Sequence, residues 1–205
     1  MKQVNKNHYE FERYVWPDRF ASYYYQLREI LALRPKNLLE VGVGDGVVGN
    51  YIKRNTLISY QNIDIAADLN PDIVGSVLSM PYPDNSFDAV CAFEVLEHLP
   101  FEKFETALSE LKRVSRKHIL LSLPHFGPPV KFLIKIPFLP EIKTAFKFPW
   151  PKKHVFNGEH FWEIGKKGYS FSAIHSVIEK YFIIEKHFIP FENQYHHFYI
   201  LKKID

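Results

Sequence analysis

The feature that most constrains the fold is a glycine-rich loop that follows a short apolar run near the start of the chain. The run spans residues 38–41, and glycines then recur at every second position in the segment Glu40-Val41-Gly42-Val43-Gly44-Asp45-Gly46. Because glycine has no Cβ atom, such a loop lets the backbone approach a ligand closely where a strand turns into a helix. The loop therefore predicts a strand–loop–helix unit with a nucleotide-like ligand at its turn.

Strand and helix patterns alternate along the rest of the chain. Apolar runs predict strands at residues 38–41, 58–65, 73–77, 87–93, 118–123, 182–189 and 197–201. Spacings of three and four predict helices at residues 16–33, 47–53, 100–112 and 170–181. In the first helix, the apolar face is expected to comprise Phe20, Tyr23, Tyr24, Leu27, Ile30 and Leu31. This alternation is typical of βαβ units and predicts an α/β fold with a doubly wound sheet.

The composition indicates one cytoplasmic domain. A chain of 205 residues with 46% hydrophobic residues suits a single domain over residues 1–205. Cys91 is the sole cysteine and forms no intramolecular disulfide, and the first twenty residues lack the apolar core of a signal peptide. No apolar run reaches the roughly 18 residues of a membrane span. A net charge of +3 is too small to indicate nucleic-acid binding.

The glycine loop by itself fits two kinds of cofactor. Residues 44–49 also satisfy the G-x-G-x-x-G pattern of dinucleotide-binding proteins, and Asp64 follows Gly44 by 20 residues, where a ribose-binding acid is expected. Against this, Glu40 ends the strand before the loop, and its carboxylate would repel a pyrophosphate and attract a cation. A nicotinamide-dependent oxidoreductase is therefore the alternative, and a ligand that carries positive charge is preferred.

A second motif decides between these readings. The segment Ser79-Met80-Pro81-Tyr82-Pro83-Asp84-Asn85-Ser86-Phe87-Asp88-Ala89-Val90 leads into the fourth strand, and Phe93-Glu94-Val95-Leu96-Glu97-His98-Leu99-Pro100 leaves it. Together with the loop, these segments resemble the class I S-adenosylmethionine-dependent methyltransferases of the type 11 group. The resemblance covers nearly the whole chain outside residues 124–151. It implies a Rossmann-like, mostly parallel seven-stranded sheet with helices on both faces and an antiparallel last strand.

The resemblance also implies a set of residues that bind S-adenosylmethionine. Glu40 would contact the amino group of the methionine portion, and Asp64, more than Asp68, would bind the ribose hydroxyls. Where many relatives have an aspartate for the adenine amino group, this chain has Ser76, with the amide of Val77 beside it. The remaining candidates are the loop glycines Gly42, Gly44 and Gly46 and, at the methionine end, Phe93 and Glu94.

Methyl transfer from a sulfonium requires chiefly that the nucleophile, the methyl carbon and the sulfur lie in line. For a hydroxyl acceptor, His98 or His125 is predicted as the base, since neutral imidazole accepts a proton near pH 7. If a helix begins at Glu94, then Glu94, Glu97 and His98 share one face and resemble the metal-binding E-x-x-E-H of some O-methyltransferases. The preferred interpretation has no metal. Further along, His160 and Trp162 are either acceptor-side or structural residues.

The region 124–158 is interpreted as an insertion in the single domain. Seven of the fourteen prolines lie between residues 124 and 151, and six lysines between residues 131 and 153 face one glutamate, Glu141. Its many apolar groups predict either a lid over the acceptor pocket, which is preferred, or peripheral membrane contact through residues 131–150. Either suits a small-molecule, glycan or lipid-linked acceptor.

A third hypothesis for the function of the whole chain, beside the methyltransferase and the oxidoreductase, is a non-catalytic cofactor-binding module.

Overall fold

The computed structural model describes residues 6–204, so residues 1–5 and 205 of the predicted domain lie outside the described residues. The helices of this part are α1 Phe11–Tyr14, α2 Pro17–Leu33, α3 Val47–Asn55, α4 Phe104–Val114 and α5 Phe171–Glu179. The strands are β1 Asn37–Val41, β2 Ser59–Asp64, β3 Ile73–Val74, β4 Phe87–Phe93, β5 Ser115–Pro124, β6 Pro129–Ile134, β7 Ile142–Lys147, β8 Phe182–Phe188 and β9 His196–Lys203.

Seven of these strands form one sheet in the order β3-β2-β1-β4-β5-β9-β8. The strands β1 to β5 are parallel to one another, whereas β9 runs antiparallel to both β5 and β8. The predicted Rossmann-like sheet with an antiparallel last strand is confirmed. Because β1, β2 and β4 are parallel, their carboxyl ends lie at the same edge of the sheet, where ligands bind in folds of this kind.

Helices cover both faces of the sheet because the central strands are apolar on both faces. In β4, Val90 faces a core that includes Leu108 of α4 and Ile174 of α5. The neighbouring Cys91 faces a second core that includes Ile30 of α2 and Ile52 of α3. The doubly wound arrangement predicted from the strand and helix alternation is thereby confirmed.

The buried face of α2 differs from the prediction. Tyr23 and Ile30 are buried as expected, but Phe20, Tyr24 and Leu31 are exposed. The remaining buried positions of the helix are polar, namely Ser22, Gln26 and Glu29. Two of these side chains have partners from the end of the chain: Ser22 Oγ lies 2.9 Å from His196 Nδ1, and Lys186 donates to Glu29. Long-range hydrogen bonds therefore override the apolar spacing.

The insertion forms a two-stranded antiparallel hairpin, β6–β7, outside the main sheet. Cross-strand partners share a face of a hairpin. One face, the outer face, pairs Val130 with Phe146, Phe132 with Thr144 and Ile134 with Ile142. The other face, the lysine face, carries Lys131, Lys143 and Lys147. The turn between the strands exposes further apolar side chains at Ile136, Phe138 and Leu139.

Among the described residues, no helix has both the length and the hydropathy needed to cross a membrane.

Candidate active site

A cavity of about 170 Å³ lies at the carboxyl ends of β1, β2 and β4. We call it the loop cavity. Most of the predicted cofactor-binding residues line it, together with one predicted base: Gly42, Gly44, Asp64, Ser76, Val77, Phe93, Glu94 and His98. Glu40, Gly46 and His125 are not among its lining residues. The fold therefore brings together residues that are up to 56 positions apart in the sequence, from Gly42 to His98.

The glycine loop turns through the left-handed backbone region. Gly42 has a φ of +85° and Gly44 a φ of +55°, which L-residues with side chains rarely adopt. A Cβ atom on Gly42 would lie only 2.5 Å from Cγ2 of Val95 in the loop after β4. Gly46 precedes α3 and lines an adjoining cavity of about 500 Å³. The glycines are thus required both by the turn and by the close approach of two loops.

Asp64 is held in place at the end of β2 by two backbone amides. Val43 N donates to its Oδ2 at 2.8 Å, and Ala66 N donates to its Oδ1 at 2.7 Å. Each carboxylate oxygen can accept a second hydrogen bond, so the group can still bind a pair of hydroxyls. Asp68, the weaker candidate, accepts from the backbone amide of Lys6 at 3.1 Å and is not part of the lining.

Glu40 is buried within β1, and Tyr60 Oη donates to its carboxylate. Burial raises its pKa to about 8, and Asp45 and Asp64 act in the same direction. The side chain lies behind the loop instead of on the cavity lining. Its role as a ligand of the methionine portion stays a prediction.

The adenine-side candidates, Ser76 and Val77, follow β3 and line the loop cavity. Ser76 Oγ accepts from the amide of Leu78 at 3.2 Å, so the hydroxyl hydrogen is available to donate. This geometry suits a ring nitrogen as well as an amino group. The assignment of Ser76 and Val77 to adenine stays a prediction.

Glu94 and His98 line the loop cavity on the β4 side. They do not lie on a helix that begins at Glu94, the arrangement considered for a metal site in the sequence analysis. Glu94 has a left-handed φ of +53°, and only a short 3-10 turn, Leu96–His98, follows it. The expectation of one helical face starting at Glu94 is therefore wrong. Burial raises the pKa of Glu94 to about 7 and lowers the pKa of His98 to about 4. His98 is thus a neutral imidazole at pH 7.

A buried polar cluster that sequence reasoning missed adjoins these residues. His196 Nε2 lies 3.5 Å from Glu94 Oε2, and His160 Nε2 lies 4.0 Å from Glu97 Oε1. The rings of His98 and His160 are 5.0 Å apart. No sequence motif links these positions, because the cluster forms only where the loop before α5 and the start of β9 meet the end of β4.

Trp162 has a structural role. Its side chain is fully buried beside Phe101 and Phe104, and its Nε1 donates to Leu99 O at 3.1 Å. Of the two residues considered for the acceptor side, only His160 is near the cavity.

His125 lies elsewhere, in a cavity of about 700 Å³ between the hairpin and the loop before β9, which we call the hairpin cavity. Lys131, Lys147 and Tyr195 line it as well. Burial lowers the pKa of His125 to about 4, followed by the charge of Lys147. Tyr195 Oη lies 3.4 Å from His160 Nδ1, so Tyr195 and His160 connect the hairpin cavity to His98 and the loop cavity.

The N-terminal segment also contributes to the loop cavity through Tyr9 and Tyr14. Their rings pack edge to face with centroids 4.8 Å apart, and the guanidinium carbon of Arg19 lies 4.3 Å from the centre of the Tyr14 ring. The sequence gives little signal for this cover, since two aromatic residues before the first strand belong to no pattern.

Residues 39–121 match the family model described as methyltransferase domain. The match covers less than half of the chain and shows that this part is similar to methyltransferase domains. A curated relative, ajmaline N-methyltransferase from Rauvolfia serpentina, is 29% identical over 45% of this chain. The chain spans only 38% of the length of that relative.

Solved structures of methyltransferases share the fold of almost the whole chain. The 1,6-didemethyltoxoflavin-N1-methyltransferase of Burkholderia thailandensis has a TM-score of 0.65 at 14% identity, with 97% of this chain and 85% of that chain covered. The N-methyltransferase NodS of Bradyrhizobium japonicum has a TM-score of 0.63 at 11% identity, with 99% and 95% covered. Both structures contain S-adenosylhomocysteine.

The loop cavity fits the cofactor of these methyltransferases. Among the described residues that line it, the charged side chains are the acids Asp64 and Glu94, with neutral His98 beside them. Glu94 Oε1 is buried and has no hydrogen-bond partner among the described residues. An acidic lining with an unused acceptor suits the hydroxyls, ammonium and sulfonium of S-adenosylmethionine.

Proposed function

We propose that this protein transfers the methyl group of S-adenosylmethionine to a small-molecule acceptor. The observation that carries the proposal is the acidic lining of the loop cavity, where Asp64 and Glu94 stand without a lysine or arginine among the described lining residues. A dinucleotide would bring a pyrophosphate into this position, and the carboxylate of Asp64, together with the ionised fraction of Glu94, would repel it. The lining therefore supports a cationic cofactor over the nicotinamide alternative.

The cofactor supplies an activated methyl group, so the residues of this chain have to position the reactants and manage the acceptor's proton. Asp64, fixed by two backbone amides, would orient the ribose. His98 faces the loop cavity as a neutral imidazole and would accept a hydrogen bond, or the proton, of an acceptor hydroxyl. With a pKa of about 4, it is a weak base.

The hairpin cavity is the proposed acceptor site. It reaches the loop cavity through Tyr195, His160 and His98, and Lys131 and Lys147 of the hairpin give it positive charge. Burial lowers the pKa of Lys147 to about 8. Its ammonium group can donate hydrogen bonds to an anionic or hydroxyl-rich acceptor. In this proposal the lysine face of the hairpin serves as the lid, and His125 contacts the acceptor.

The outer face of the hairpin supports a second part of the proposal, contact with an anionic membrane surface. Phe132, Ile134, Ile142 and Phe146 are each about half exposed, and Phe138 at the turn is fully exposed. Contiguous apolar surface of this kind marks an interaction site. Lys135 beside the apolar turn and Lys153 after the hairpin do not line the hairpin cavity and complement anionic headgroups. A glycan or lipid-linked acceptor would then reach the hairpin cavity from the membrane.

Calorimetry with S-adenosylmethionine, S-adenosylhomocysteine and NADH tests the cofactor. We expect both sulfur compounds to bind and Asp64→Asn to weaken binding by roughly tenfold, the cost of about one charge-assisted hydrogen bond. Asp84→Asn, on a side chain that is 71% exposed and away from the cavity, is the matched control. Binding of NADH alone would overturn the proposal.

Activity is tested by incubating the protein with labelled S-adenosylmethionine and fractions of a cell extract. Incorporation into a low-molecular-mass or lipid fraction is expected, and it should disappear when S-adenosylhomocysteine is in excess. Tight cofactor binding without transfer to any fraction would favour the non-catalytic module.

Vesicle sedimentation tests the membrane contact. Phosphatidylcholine vesicles that contain phosphatidylglycerol should bind the protein, and Phe138→Asp with Leu139→Asp should reduce binding by about tenfold or more. Leu57→Asp is the control, since Leu57 is equally exposed on another part of the chain. Equal binding by the hairpin variant and the control would rule the contact out.

A further inference from the structure

Three side chains at the junction of the two cavities have the composition of a metal site. Glu97, His98 and His160 each offer a ligand atom, and these atoms all lie within 4.8 Å of one another. Ligands of a transition-metal ion at about 2.1 Å stand roughly 3–4 Å apart, so a small adjustment would bring the three donors onto one ion. Two imidazoles and one carboxylate form a set that zinc, iron and other first-row divalent ions prefer.

The carboxylate of Glu97 is the observation that points to a ligand. The residue is fully buried, and neither Oε1 nor Oε2 has a hydrogen-bond partner among the described residues. Oε1 of Glu97 faces His160 Nε2 at 4.0 Å, which is too long for a hydrogen bond. A buried carboxylate without partners is costly, and a cation between it and the imidazoles would satisfy it.

Both imidazoles are oriented from behind, as metal-binding histidines are. His98 Nδ1 lies 3.0 Å from the backbone oxygen of Glu159, a contact that holds the ring in its orientation. His160 Nδ1 lies 3.5 Å from Glu163 Oε1, with Nε2 on the side of Glu97. In His160 the carboxylate at Nδ1 favours the tautomer that leaves Nε2 as the ligand atom.

We propose that Glu97, His98 and His160 bind a divalent first-row transition-metal ion between the loop cavity and the hairpin cavity. His98 lines the loop cavity, and His160 contacts Tyr195 of the hairpin cavity. The ion would therefore adjoin the proposed acceptor path, and with His98 as its ligand it would bind an oxygen atom of the acceptor in place of the hydrogen bond to His98.

Titration of chelator-treated protein with Zn²⁺ and Co²⁺, without cofactor or acceptor, tests this site. We expect one ion per chain and, for Co²⁺, visible absorption bands that report its coordination. Glu97→Gln and His160→Ala should each weaken binding by about tenfold or more. The Co²⁺ bands should change in both variants.

Two controls make the result specific. His197→Ala removes the centre of a separate group in which His125, His187 and His197 lie within 3.1 Å of their neighbours, and it should leave the affinity unchanged. His118→Ala removes a histidine near the start of β5, where its Nε2 lies 3.4 Å from Glu185 Oε2, and should also have no effect. Unfolding curves of each variant show whether it folds. If Glu97→Gln does not fold, the binding affinity of His160→Ala still tests the proposal.

Affinity that is unchanged in both site variants, or that is lost only in His197→Ala, would overturn the proposal. Because the titration contains no S-adenosylmethionine, its failure leaves the proposed methyl transfer unaffected. Loss of cofactor binding would in turn leave the metal site intact.

Discussion

Gly42 shows how strictly a single residue can be determined by its surroundings. Its φ of +85° and the 2.5 Å approach of Val95 to a Cβ atom predict that Gly42→Ala destabilises the protein by about 2–4 kcal/mol. We expect S-adenosylhomocysteine binding to weaken as well, because the loop must move. Urea unfolding and calorimetry measure the two effects.

The matched control is Gly158→Ala. Gly158 has a similar φ of +98°, but no atom lies within 4 Å of a Cβ atom placed there. This variant should lose only the cost of backbone strain, about 1 kcal/mol, with normal binding. Equal losses in the two variants would show that the contact with Val95 is unimportant.

Glu40 predicts a pH dependence of stability. Burial raises its pKa to about 8, so the folded protein retains a proton that the unfolded chain releases above its ordinary pKa of 4.5. The contribution of Glu40 to stability is therefore fully present below pH 4.5 and is lost as pH rises towards 8, by at most about 1.4 kcal/mol per unit.

Glu40→Gln removes this titration while keeping the shape of the side chain. Relative to the native protein, it should become more stable as pH rises from 5 to 8 in urea unfolding. The control is Glu102→Gln, because the side chain of Glu102 is exposed. Gln26→Glu is unsuitable because it would add a buried charge. A constant difference between Glu40→Gln and the native protein across this range would contradict the prediction.

Among the elements, the N-terminal segment is expected to act as a cover of the loop cavity. Tyr9 lines both this cavity and the one beside it, and its ring is the nearest neighbour of a Cβ atom on Gly44, at 3.8 Å. Tyr9→Ala should weaken S-adenosylhomocysteine binding by roughly 5–10-fold, the effect of losing one packed aromatic ring.

Phe11→Ala is the control for this element, because Phe11 is 70% exposed on the same segment. Stopped-flow measurement of dissociation should show faster release from Tyr9→Ala and normal release from Phe11→Ala. Identical release rates would mean that the segment does not retain the cofactor.

At the scale of the whole molecule, the hairpin can be separated from the sheet. Phe148 N donates to Pro128 O at 3.1 Å, so the two ends of the hairpin are adjacent, and a short glycine-serine linker can replace residues 129–147. We expect S-adenosylhomocysteine binding to change by less than about twofold, since no hairpin residue lines the loop cavity.

The protein without the hairpin should lose both the methylation of the extract fraction and the binding to vesicles. Loss of vesicle binding with full methylation would remove the hairpin from the acceptor site. Retention of both would contradict both roles of the hairpin.

The sequence by itself determined the sheet and much of the cofactor cavity. The apolar run at residues 87–93 specifies a strand buried on both faces, and the observed β4 has the same bounds. The glycines after Glu40 require a turn at the end of β1, and parallel strands place Gly42, Asp64 and Glu94 at one edge. These inferences succeed because they depend on local periodicity and on a general rule of topology.

Which polar side chains meet depends on how distant segments of the chain pack together. His160 and His196 lie in different loops and strands, yet both reach the carboxylates after β4, and Tyr195 connects the two cavities. The polar buried face of α2 follows the same logic, since Ser22 is satisfied by His196 from the last strand. A hydrogen bond or metal ligand has no periodicity along the chain, so its partner is known only when distant segments are brought within about 3 Å.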